Sequence, residues 1–484
     1  MAYSNQKLIS LINSFSKTEL EQFRIFISTP FFTKGRNYIT YLDYILDVKE
    51  NSDTQEIPDK KKVKGKGDTL SEQTLRNRCS ELYKLGEEFL IYTGLCESNT
   101  IRQSLLLKKL NEKKLNKSFF SNYYKAKANI DHEKFDISKL RNLTSLSEIL
   151  AENYAKRNKI ENFYNEFYDT SKYTLCLNLL ILFQIGLEFN QQESDNRIFE
   201  PNYVIAFLKK LDLDNIILEF RKSELTVYKV TAMNYYLFKA YGNDNVGKFY
   251  AEAHSIFTEL RNDLKDSYKI IIFKILINHC IIKLNTGDLN YRYKLFDLYN
   301  EKLDQDLTSD LESNTYTFNH FRDYVFIGIS IKKYKWVENF IKKYSGVLPP
   351  ELRDSETKFS YAKLDFEKKN FRKSLDNLNE LKSTHYLQYI DTSLLKLCNY
   401  FELKKYEEAF LEIDKHKHYL KNHKEIPLIQ HKYTVNFMKV YLRLVKYFTE
   451  PEKKDPGLIE SEFKKYKHIA KKGWMREKIL EITK

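Results

Sequence analysis

Lys335-Trp336, Asn370-Phe371 and Lys405-Tyr406 are one junction written three times, at positions 35 apart. Each sets a polar residue before an aromatic one. Asn339, Ser374 and Ala409 follow three positions after the aromatic, and Phe340, Leu375 and Phe410 follow four positions after it. A period of this length belongs to stacked two-helix units, none of which can bury its apolar face alone. The spacing therefore predicts an all-α chain: an α-α superhelix, a solenoid of antiparallel helix hairpins.

Outward from these junctions, Asn319–Lys333 pairs with Trp336–Tyr344, Ser355–Lys368 with Phe371–Leu381, and Thr392–Leu403 with Tyr406–Tyr419. A long helix over Leu428–Phe448 follows. Residues 311–449 thus form the regular repeats, and 450–484 a basic C-terminal helix after two prolines. Residues 98–310 read as irregular hairpins, with separate helices at Ile160–Tyr168 and Tyr173–Asn190. Residues 1–97 read as a small helical module. There Leu8, Leu11, Ile12 and Phe15 line one helix face. Ser16-Lys17-Thr18-Glu19 is a capping box that starts the next helix, and the last helix of the module is expected to close near Gly94. A polar, lysine-rich loop spans 49–68.

The stretch Leu397-Cys398-Asn399-Tyr400, followed by Lys405-Tyr406-Glu407-Glu408-Ala409-Phe410, resembles a tetratricopeptide repeat. So does Tyr361-Ala362 followed by Asn370-Phe371 and Ser374-Leu375. The period of 35 departs from that family's usual 34, and Leu381 and His416 stand where a later alanine is expected. The whole chain also resembles a group of bacterial helical-repeat proteins of uncharacterised function. The resemblance implies a ligand groove lined by the first helix of each hairpin. Carried over by position, its lining is Tyr324, Lys332, Phe359, Lys363, Phe366, Leu394 and Phe401. That mixture suits an extended peptide of acidic or carboxylate-terminated character. Trp336, Phe371, Ser374, Tyr406 and Ala409 are expected to pack between repeats: small residues let helices approach closely, and aromatics fill the wedge between hairpins.

Only 13 Gly and 8 Pro among 484 residues favour long helices over many short strands. The net charge of +14, with 80 Lys and Arg against 66 acids, attracts nucleic acid, anionic surfaces or acidic proteins. A codon bias toward Lys, Asn, Ile, Tyr and Phe produces the same composition with no partner at all. Five scattered cysteines without a CxxC suit reduced thiols in the cytoplasm. The apolar stretches Leu175–Phe189 and Ile270–Leu284 are shorter than the ~20 residues a bilayer span needs, so they read as buried helices and no membrane span is expected.

No nucleophile elbow, HExxH, Walker loop, GxGxxG or paired CxxC occurs. His416, His418 and His423 read as solvated helix-end histidines rather than metal ligands, and His279-Cys280 as packing residues. Asp304, Asp306, Asp310 and Glu312 read as a solvated acidic patch. The expectation is a non-enzymatic, cytoplasmic scaffold with no cofactor and no metal, whose partner is a protein or peptide rather than a small molecule. The alternative is a nucleic-acid-binding protein or transcription regulator. It would make anion contacts through Lys60, Lys61 and Lys62 of the loop and Lys464, Lys465, Lys471 and Lys472 of the tail.

Overall fold

The computed structural model describes residues 3–51, 72–194, 203–241, 246–308, 317–381, 385–450, 452 and 455–483. Among these the chain forms 24 α-helices and no β-strand, as the scarcity of turn residues implied. It divides into two compact units. One takes in the chain up to Leu182 together with Glu224–Thr231; the other takes in Phe183–Ser223 and Ala232 onward.

In the first unit, α1 (Tyr3–Ser14), α2 (Lys17–Ser28), α3 (Pro30–Thr33), α4 (Ile39–Asn51) and α5 (Glu72–Glu97) share a core around Leu8, Phe23, Leu42 and Leu82. The capping box at Ser16 is made: its hydroxyl accepts from the Glu19 amide, and the Glu19 carboxylate accepts from the Ser16 amide. Gly86 lets α5 press against α1, since a Cβ there would lie 2.5 Å from Leu11. The helix runs through Gly94 instead of closing there. A solvent-facing glycine costs a helix only about 1 kcal/mol, and no proline follows it. Next, α6 (Asn99–Glu112), α7 (Asn116–His132) and α8 (Ile137–Lys156) pack around Leu107, Phe119 and Leu146.

The two helices expected at 160–168 and 173–190 are one, α9 (Ile160–Ser194). Asp169-Thr170-Ser171-Lys172 holds no breaker. The Thr170 and Ser171 hydroxyls donate to the Glu166 and Tyr168 carbonyls within the helix, and Lys172 pairs with Asp169 one turn back.

The second unit begins with the rest of α9. It continues through α10 (Tyr203–Lys210), the unforeseen α11 (Asp214–Lys222), most of α12 (Thr226–Ala240), α13 (Val246–Leu260), α14 (Asp266–Asn285) and α15 (Tyr291–Leu303). Three hairpins follow: α16 (Thr317–Ser330) with α17 (Tyr334–Tyr344), α18 (Pro350–Glu367) with α19 (Phe371–Asn379), and α20 (Tyr386–Glu402) with α21 (Tyr406–Asn422). The unit ends with α22 (Leu428–Thr449), α23 (Pro456–Lys465) and α24 (Lys472–Thr483). Each hairpin's first helix touches the first helix of the next, α16 on α18 and α18 on α20. Each second helix touches the following first helix.

One turn recurs in all three hairpins. Lys332, Lys369 and Lys404 adopt left-handed conformations, with φ of 61°, 64° and 58°. The next amide donates back to the carbonyl of Gly328, Asp365 or Tyr400 at 2.9, 2.8 and 2.8 Å, closing the first helix. One residue later the second helix starts, at Tyr334, Phe371 and Tyr406. The same turn joins α6 to α7 at Lys114 and α8 to α9 at Asn158.

This geometry corrects the reading of Trp336. It is the third residue of α17, and Tyr334 is the counterpart of Phe371 and Tyr406. The interval from Lys333 to Asn370 is 37 residues, not 35. Tyr334 to Pro350 is one residue longer than Phe371 to Tyr386, and Pro350 to Phe371 one longer than Tyr386 to Tyr406. The equivalent crossing positions are therefore Val337, Ser374 and Ala409, each at 0% exposure, while Asn339 faces solvent. A Cβ on Gly328 would lie 2.6 Å from Val337, so this glycine sets the closeness of α16 and α17. The Ser374 hydroxyl donates to the Ala362 carbonyl at 2.7 Å and accepts from Asn399 of α20 at 3.0 Å. The three echoed aromatics do not share one environment. Trp336 packs on Phe296 of α15 and donates its indole N–H to Asn300, Phe371 meets Phe366, and Tyr406 meets Phe401 and Phe448.

Candidate functional site

The expected groove on the first helices is closed. Tyr324 (1% exposed), Phe359 (0%) and Leu394 (3%) are core residues, and Phe366 and Phe401 are buried as well. Because first helices pack on one another, these side chains face a neighbouring helix instead of a ligand. Phe401 is also covered by Trp474 of α24, edge-on at 5.4 Å. Lys332 lies in a turn, outside the first helix. Lys363 is half-buried, 2.5 Å from Glu367 and above the Phe366 ring.

Beside their apolar core, these helices share a charged cluster that sequence reasoning missed. Arg322 of α16, 3% exposed, donates through Nε and Nη2 to the Glu356 carboxylate of α18 at 2.6 and 2.9 Å. Its Nη1 donates to Asp391 of α20 at 2.8 Å. Gln388 donates to Glu356 at 2.8 Å, and the guanidinium lies 4.2 Å from the centre of the Phe359 ring. Burial pushes the Glu356 carboxyl above its ordinary range while Arg322 and Gln388 pull against it. Burial likewise raises Asp323, against the pull of Arg322, to about 7. Arg322, Glu356 and Asp391 lie 34 and 35 residues apart, but Arg322 stands ten residues before the turn at Lys332 and the two acids thirteen before those at Lys369 and Lys404, so no single register position carries all three charges. Arg322 bridges α16, α18 and α20, with Glu356 fully buried and the Asp391 side chain 35% exposed.

Of the basic segments, Lys60, Lys61 and Lys62 lie outside the described residues. Lys464 pairs with Glu460, Lys465 is exposed, and Lys472 donates to the Lys467 carbonyl. Lys471 is half-buried; burial, then Lys363, pulls its ammonium below the ordinary lysine value. The tail is a packed element. The Trp474 indole and Lys478 ammonium both donate to Glu402 of α20.

His416 is not solvated: it is 0% exposed with neither ring nitrogen bonded. Burial, aided by nearby His431, lowers its pKa to about 4. His418 and His423 stay near the surface, bonded to Asn422 and Glu425. His279 and Cys280 pack in the core, and burial pushes the Cys280 thiol up to about 11 and that of Cys398 to about 12. These thiols lack the thiolate character of a nucleophile. Asp304 caps α15 and Asp306 occupies a left-handed turn, whereas Asp310 and Glu312 lie outside the described residues. Among the described residues no three His, Cys, Asp or Glu side chains are grouped to hold a metal ion. Merging the two helices of α9 makes Ile160–Phe189 long and apolar enough to cross a membrane by length and composition, with 33% of the apolar window buried in the protein.

An open groove lies between α21 and α22, with a volume of about 480 Å³. Leu420, Val435, Met438 and Leu442 form an aliphatic floor, and Lys417, Lys421, His431 and Lys439 stand around it. No protein family, curated protein or solved structure matches this chain.

Proposed function

We propose that this chain is a non-enzymatic helical-repeat scaffold, similar to tetratricopeptide repeats, that binds a protein or peptide partner in the cytoplasm. The observation that carries the reading is the turn repeated at Lys332, Lys369 and Lys404, together with contacts running from first helix to first helix. Units joined in this way expose a row of equivalent surfaces whose area grows with each repeat, which suits extended partners. A binding surface also needs an opening, and the α21–α22 groove supplies one.

Affinity capture of the full chain from its native host, with cross-links mapped by mass spectrometry, tests the reading. A recurrent protein partner cross-linked within residues 317–449 is the expected result. Recovery of nucleic acid in place of protein, released steeply as salt rises, would overturn it in favour of a nucleic-acid-binding role.

A further inference from the structure

We propose that the α21–α22 groove receives an amphipathic helix of a partner protein, whose apolar stripe is flanked on both sides by carboxylates. This rests on the scaffold reading and names the partner's chemistry.

On α22 the groove residues His431, Val435, Met438 and Leu442 fall at i, i+4, i+7 and i+11. That stripe is about 17 Å long, or three helical turns. Leu420 of α21 completes the floor. Beyond His431 at its end, this line offers the apolar side chains of Val435, Met438 and Leu442, so the occupant must bring an apolar face. Helices that enter such grooves do so with anchors at i, i+3, i+4 and i+7.

The rim decides the charge. Lys417 and Lys421 lie one turn apart on one wall, and His431 and Lys439 stand on the other. Lys417 pairs with exposed Asp414, a pair weak enough to exchange. Lys421 and Lys439 form no ion pair among the described residues, and Lys439 lies near the Tyr466 ring. Lys417 and Lys421 on one side and Lys439 on the other, over an apolar floor, are complementary to carboxylates on either side of an apolar ridge. They repel a basic helix and offer nothing to a neutral one.

The test uses the full chain and a labelled synthetic helix of about four turns, with Leu along one stripe and Glu beside it. Fluorescence anisotropy should show saturable binding that weakens with salt. The same peptide with Lys in place of Glu should not bind. Lys421→Glu with Lys439→Glu, both at exposed positions that leave the fold intact, should weaken binding roughly tenfold. Val435→Asp should abolish it while the melting curve stays cooperative. Equal binding of the Lys peptide, unchanged affinity in the charge-reversed variant, or binding of oleate vesicles with no binding of the Glu peptide would each overturn the proposal. Failure here stays distinct from failure of the scaffold: a captured partner cross-linked to α16–α20 would sink this groove and leave the scaffold standing.

Discussion

Arg322 and Lys421 are cations on the same run of hairpins, and they meet opposite fates. Arg322 is almost fully buried between two carboxylates, Glu356 and Asp391, on a face closed by packing. Lys421 stands exposed over an aliphatic floor with no acid paired to it among the described residues. The difference comes from packing. First helix touches first helix from α16 through α18 to α20, so charges on those faces meet opposite charges from the same chain. The 22-residue α22 closes the run of hairpins. Arg443 and Lys446 of α22 pair with Glu462 and Glu450, whereas Lys421 of α21 and Lys439 of α22 meet no acid among the described residues.

The largest effect should come from breaking the closed side. Arg322→Ala or Glu356→Ala strands a buried charge and should cost ~3–5 kcal/mol in denaturant unfolding. Lys421→Ala should fall within about 0.5 kcal/mol of wild type. Replacing Arg322 and Glu356 together by leucine should recover most of the loss, since the two buried charges leave together and Asp391, 35% exposed at its side chain, can reach water. Equal, small losses at Arg322 and Lys421 would dissolve the contrast between the two surfaces.

Protonation tests the same contrast in a different way. His416 is buried beside the open side and unpaired, with a folded pKa of about 4 against an ordinary value near 6.5. Its neutral form is the one that fits, so below about pH 6.5 the unfolded chain takes up a proton that the folded chain refuses. Stability should be full above that pH and fall as pH drops toward 4, by up to ~3 kcal/mol from this residue. Unfolding measured at several pH values should show the fall, and His416→Leu should flatten it. An unchanged slope in that variant would mean that other groups govern acid stability.

The register of the hairpins gives a smaller, sharper comparison. Val337 is fully buried at the helix crossing and Asn339 is exposed. Val337→Ala should cost roughly 2 kcal/mol, and Asn339→Ala should stay within about 0.5 kcal/mol of wild type. The reverse ranking would restore a uniform 35-residue period.

The same register separates what the residues reveal by themselves from what only their packing reveals. The all-helical character was legible, because scarce Gly and Pro and apolar residues at helical spacing agree in nearly every segment. Hairpins were legible where Phe371 and Tyr406 open a helix three residues ahead of a small one. Trp336 misled because the two extra residues are split between two segments, one each, and an aromatic happened to fall at the shorter spacing. The ligand face misled for a different reason. Position on a repeat says which helix carries a residue, but not that the chain's own Trp474 covers Phe401 or that Arg322 finds two acids. Charged residues in one sequence look like surface. Arg322 also sits three residues off the register of Glu356 and Asp391, so only packing marks them as partners.

Turn chemistry was hidden as well, and it yields the smallest effect. A left-handed residue closing a helix is usually glycine, but in these hairpins it is lysine. Lys369 holds φ 64° with its side chain in solvent. The Cβ in that conformation costs about 1 kcal/mol or more, partly offset because glycine loses more entropy on folding. Lys369→Gly should therefore stabilise the protein by ~0.5–1 kcal/mol. The same change at exposed Lys342, inside α17, should destabilise it by a similar amount. Opposite signs from one substitution at two lysines would separate a turn set by backbone geometry from one that the lysine side chain itself holds in place. Two losses would mean that the side chain of Lys369 contributes more to the hairpin than its strained backbone costs.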